Sequence, residues 1–68
     1  MQVELLSDGG YPGMEACIGK VFTTLGQRNS NGSVRIPVSY LELAGYRNAE
    51  YVNTSLYFFD WEVRILND

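Results

Sequence analysis

Sixty-eight residues, 46% of them hydrophobic, make a single domain spanning residues 1–68, near the lower size at which one core holds a chain together without metals or disulfides. Eight acids against five bases give a net charge of −3, which works against nucleic acid, whose binders draw much of their affinity from phosphate contacts. With no histidine and a single cysteine, the chain cannot assemble a Cys/His metal site, an internal disulfide or a Cys–His nucleophile.

The chain opens with MQVELLSDGG, which has neither a basic n-region nor an apolar h-region, and no apolar run approaches the roughly 20 residues of a membrane span. A soluble, cytoplasmic protein is expected. Gln2 to Leu6 reads as a first strand, and Ser7-Asp8-Gly9-Gly10-Tyr11-Pro12-Gly13 as a loop dense in turn residues. Met14 to Ile18 reads as one helical turn closed by Gly19, with Cys17 a small buried hydrophobe. Lys20 to Leu25 is a second strand. The polar connection GQRNSNG follows, and its Asn31-Gly32 pair signals a hairpin into a third strand, Ser33 to Val38. In that strand Val34, Ile36 and Val38 share a face opposite Arg35, and Pro37, which has no amide donor, places the strand at an edge. Asn31 and Asn53 each begin a glycosylation sequon by letter, but without a secretory signal both read as turn residues.

Ser39 and Glu42 have the Ser-x-x-Glu spacing of a capping box, with Val38 and Leu43 at the staple positions and Gly45 at the end, so a short helix is expected near 39–44. Tyr46 to Asn53 reads as a loop or weak strand. The most strongly patterned run is Leu56 to Leu66, LYFFDWEVRIL. One register, Tyr57, Phe59, Trp61, Val63 and Ile65, is wholly apolar, while the other carries Asp60, Glu62 and Arg64. Alternation therefore places Tyr57, Phe59 and Trp61 in the core, on two strands pivoting at Asp60 or on one bent strand.

No constellation in the chain carries an obvious reaction. A phosphate-binding P-loop requires four residues between its first Gly and Gly-Lys, then Ser or Thr. Gly13 to Gly19 encloses five, and Val21 follows Lys20. Ser7 and Asp8 near Glu4 or Glu15 lack a third polarising group. No enzyme activity, cofactor or metal is expected. What stands out is the aromatic content: eight Tyr and Phe residues besides Trp61 are many for a thin core. Phe58, on the polar register, and Tyr40, Tyr46, Tyr51 and Tyr11 are the rings expected at the surface. Arg35 and Arg47 are candidate partners beside them, because Tyr and Arg are favoured interface anchors.

Short strands in sequence, a polar second connection and a short helix before the last strands predict a mainly β fold, a small, partly open barrel of about five strands. In this outline the chain resembles SH3-like barrels. With its opening strand and Gly-rich turn, LLSDGGYPG, it is also similar to the short accessory proteins that bacteriophages encode. The first resemblance implies a binding role, since such barrels present aromatic grooves to peptides or nucleic acids. The expected function is a non-enzymatic protein–protein interaction module, of a phage type that inhibits or redirects a host protein. The alternatives are a nucleic-acid-binding barrel using Arg28, Arg35 and Arg47 with stacked Tyr, and a subunit that works as a homo-oligomer.

Overall fold

A computed structural model describes residues 1–26, 28–47 and 54–67. The elements in order are β1 (Gln2–Leu5), a 3-10 turn at Glu15–Cys17, β2 (Val21–Thr23), β3 (Val34–Pro37), α1 (Val38–Leu43), β4 (Ser55–Phe58), a second 3-10 turn at Asp60–Glu62 and β5 (Val63–Asn67). They form two antiparallel sheets, one ordered β2-β1-β5 and the other β3-β4. The protein is thus mainly β, with five short strands and one short helix among the described residues. The strand pair around Asn31-Gly32 departs from expectation: β2 and β3 lie in different sheets, joined at one point where the Leu25 amide donates to the Arg35 carbonyl at 2.8 Å. Asn31 does serve as a turn residue, its Oδ1 accepting from the amide and hydroxyl of Ser33.

β1 is the central strand of its sheet, and its alternation is plain. Val3 and Leu5 are fully buried, Gln2 and Glu4 half-buried. Val3 stands between Phe22 and Ile65, while Glu4 faces Arg64 across the β1–β5 ladder and accepts from its guanidinium. In the second sheet Val34 faces Phe58, Arg35 faces Tyr57, Ile36 faces Leu56 and Pro37 faces Ser55. The Val38 amide donates to the Thr54 carbonyl at 3.0 Å, which fixes the phase of the ladder. Bonds between β3 and β4 then fall at Val34 and Ile36, and the residues between them direct their backbone groups away from the partner strand. Pro37 sits at one of these outward positions, so its missing donor costs the ladder nothing.

The helix starts differently from the expected capping box. Pro37 occupies the N-cap at φ −58°, no side chain caps the first turn, and Ser39 lies exposed inside the helix. The physical reason lies in the ladder bond, which already satisfies the Val38 amide, so the strand runs straight into the helix. Leu43, expected to staple onto Val38, is instead 89% exposed. The helix end agrees with the sequence: Gly45 has φ +116°, and a Cβ there would lie 2.7 Å from the Ala16 side chain.

The largest correction concerns Leu56 to Leu66. The sequence puts Tyr57, Phe59 and Trp61 inside and Phe58 outside; the structure reverses this. Phe58 is 1% exposed, Tyr57 and Phe59 are each 52% exposed and Trp61 is 71% exposed. All four positions from Leu56 to Phe59 are apolar, so the strand itself has no strong preference. Its partner β3 does: with Val34 and Ile36 turned inward, directly opposite Phe58 and Leu56 must share that face. The turn at Asp60–Glu62 then interrupts the period of two, and β5 resumes with Val63 buried. Phe58 is seated against Tyr11, ring centroids 5.5 Å apart and edge-on, and beneath Gly9, where a Cβ would come within 2.9 Å of the ring. The core comprises Val3, Leu5, Met14, Cys17 and Phe22 from the first half of the chain, and Val34, Ile36, Val38, Leu41, Tyr46, Leu56, Phe58 and Val63 from the second.

Candidate aromatic binding face

Burying Phe58 leaves three rings outside. Tyr57 stands on the outer face of the β3–β4 ribbon and Phe59 follows two residues on, on the same side. The 3-10 turn then brings Trp61 onto Phe59, with ring centroids 5.8 Å apart and planes within 9° of parallel. The turn that carries the stack is anchored by Glu62, whose side chain is buried. One of its carboxylate oxygens accepts the Phe59 amide at 2.9 Å and the other accepts the Ser7 hydroxyl at 3.2 Å. Ser7 Oγ in turn accepts from the Gly9 amide, and the Glu62 carbonyl accepts from the Leu6 amide at 2.9 Å. Buried polar groups with such partners fix geometry, so the turn carrying the two rings is tied to the loop after β1.

Polar groups border the rings. Asn29, Asn31 and Ser33 line a hollow with Tyr57 and Phe59, and on the other side Tyr11, Arg35, Thr54 and Ser55 line one with Tyr57. The Tyr11 hydroxyl donates to the Tyr57 carbonyl at 3.0 Å. Arg28 approaches Asp60 at 4.0 Å, with both side chains about half exposed, a pair whose attraction water largely screens. The surface is therefore three exposed rings with amide, hydroxyl and mixed-sign charged groups at the rim.

Of the residues singled out by the sequence, Arg35 reaches this face, half-buried and opposite Tyr57. Tyr40 is exposed elsewhere, in an apolar groove that it lines with Val21, Phe22, Leu43, Ala44 and Lys20. Tyr46 and Phe58 belong to the core and leave the candidate surface. Arg47 is exposed just after α1, its amide donating to the Gly13 carbonyl at 3.3 Å. Tyr51 lies outside the described residues. Tyr57, Phe59 and Trp61 were missed as surface residues. The signal that could have found them is the alternation of β3, read as the template for β4.

Cys17 is buried, its thiol 3.4 Å from the Leu41 carbonyl; burial raises its pKa, with opposing influence from a Tyr46 backbone bond and from Lys20. The neutral thiol is thereby favoured and its nucleophilicity reduced. Among the described residues no group of three or more Cys, Asp or Glu side chains is placed to hold a metal ion, and no helix is long and apolar enough to cross a membrane. No family model, curated protein or solved structure matches the chain.

Proposed function

We propose that the chain is a non-enzymatic protein-binding module whose contact surface is the strip Tyr57, Phe59 and Trp61. The observation that carries this reading is the exposure of Trp61 in a preformed stack with Phe59. A domain this small has every reason to bury its one tryptophan, and large aromatics are the residues that anchor interfaces. Because Glu62 and Ser7 fix the backbone of the turn and the two rings already stack on each other, little freedom is lost on contact. In the phage-type setting suggested by the sequence, such a surface would bind a host protein and inhibit or redirect it. The test compares the natural chain and Trp61→Ala as baits against a host lysate. A protein retained by the first and lost by the second, with both baits equally folded, supports the reading; identical captures reject it.

A second reading, single-stranded nucleic acid stacked on the same rings, is favoured by Arg28 and Arg35 at the rim. Nucleic-acid binding would weaken steeply with added salt as counterions are released, whereas a mostly aromatic protein contact would respond modestly. A salt titration on single-stranded oligonucleotides separates the two.

A further inference from the structure

We propose that the hollow beside Tyr57 is an acid-binding subsite, in which Arg35 receives one carboxylate of the partner protein, an Asp or Glu side chain carried on an otherwise apolar segment. The inference rests on the reading of the aromatic strip as a protein contact and names the chemistry of what docks there. It starts from the ladder. Bonds between β3 and β4 fall at Val34 and Ile36, so Arg35 and Tyr57 form a pair without mutual bonds, the type in which facing side chains come closest. Both lie on the outer face, as does Ser55, two residues before Tyr57. The Tyr11 hydroxyl, donating to the Tyr57 carbonyl, closes one side, and Thr54 completes the wall. The hollow has a volume of about 350 Å³, ample for a carboxylate.

The half-buried guanidinium of Arg35 has given up part of its water, and among the described residues it gains no acceptor in return. The ion pairs there are Arg28 with Asp60 and Arg64 with Glu4, and neither Arg35 nor the hydroxyls of Thr54 and Ser55 make a side-chain hydrogen bond. Partly desolvated donors without acceptors favour a ligand that supplies them. The planar fork of N–H groups matches a carboxylate through two parallel bonds, with the hydroxyls free to donate to its remaining lone pairs. Phosphate is matched less well. A single cation faces the hollow, Arg28 is engaged by Asp60, and nucleic acid draws its affinity from several cations at once. The net charge of −3 likewise repels a strongly acidic partner, so the segment that fits carries its acid among apolar residues, which cover Tyr57 and the Phe59–Trp61 stack.

Nuclear magnetic resonance titration of the intact chain with a blocked Ala-Leu-Glu-Leu-Ala peptide at millimolar concentration should shift the Arg35 Nε–H and the Ser55 and Tyr57 amides. The matched peptide with Gln in place of Glu should bind about tenfold more weakly or worse. Arg35→Gln should abolish that preference, and Arg35→Lys, a point charge without the fork, should keep only part of it. The comparison of the two peptides on the natural chain stands even if Arg35→Gln fails to fold. Equal binding of the Glu and Gln peptides, no binding of either, or a Glu preference that survives Arg35→Gln would overturn the proposal. So would inorganic phosphate moving the same signals at lower concentration than the Glu peptide, which would turn the hollow toward nucleic acid. Trp61 fluorescence separates this inference from the reading beneath it: a response to both peptides alike would keep the strip and remove the subsite, whereas a Glu-dependent shift at Arg35 with Trp61 silent would support the subsite and count against the strip.

Discussion

In β3 the inward residues Val34 and Ile36 are separated by Arg35 and followed by Pro37, whereas the segment that becomes β4 and its exit, Leu56 to Phe59, is apolar at every position. The first strand states its inner face and the second takes its face from the first, through the pairs Val34–Phe58 and Ile36–Leu56. Alternation is informative when one register is polar enough to be excluded from the core; where both registers are apolar, the partner strand decides. The exposed strip follows from the same contest, because the register that loses it is left outside.

The largest effect expected from breaking this comparison is in the neighbouring phenylalanines. Phe58→Ala should cost about 3–5 kcal/mol, since it empties the space between Tyr11, Gly9 and Val34. Phe59→Ala, one residue on, should cost no more than about 1 kcal/mol. Urea denaturation of the two variants measures the difference, and equal losses would mean that Phe58 and Phe59 contribute alike to the core. A smaller effect is expected at the carboxylate that holds the exposed stack. Glu62→Ala strands the Phe59 amide and the Ser7 hydroxyl and should cost about 1–3 kcal/mol. It should also release Trp61, seen as a fall in its fluorescence anisotropy in the variant that remains folded; an unchanged anisotropy would show that the ring stack holds itself.

Much of the fold is legible in the sequence. The strand at Gln2, the turn around Cys17, the inward face of β3, the edge position of Pro37, the bend at Asp60 and the positive φ of Gly45 all follow from local rules, because each depends on a residue with one strong preference. What was not legible depends on distant partners. Glu62 reads as a solvated charge by alternation, yet it is buried because Ser7, more than fifty residues away in sequence, donates to it. Tyr46 reads as a surface ring and is packed in the core, its amide bonded to the Leu41 carbonyl at 2.9 Å just past the helix. The exposed aromatic strip escapes a reading by alternation for the same reason: hydrophobicity says that a ring prefers to be buried, and only packing says which rings find room.

The smallest expected effect sharpens the comparison at the junction of β3 and α1, where another strong local pattern is overruled by a strand partner. A Ser-x-x-Glu box at a helix start predicts that Ser39→Ala costs about 1 kcal/mol and that the loss overlaps with that of Glu42→Ala, because the two side chains act together. Here Thr54 of the strand ladder accepts the Val38 amide, Pro37 holds the N-cap, and Ser39 and Glu42 are exposed with no side-chain cap bond. Ser39→Ala should therefore change stability by less than about 0.5 kcal/mol, and the double variant with Glu42→Ala should equal the sum of the single ones. A double-mutant cycle in urea measures both. A Ser39 loss near the full capping value, shared with Glu42, would show that the helix is started by its own side chains after all, and that the ladder bond from Val38 is dispensable.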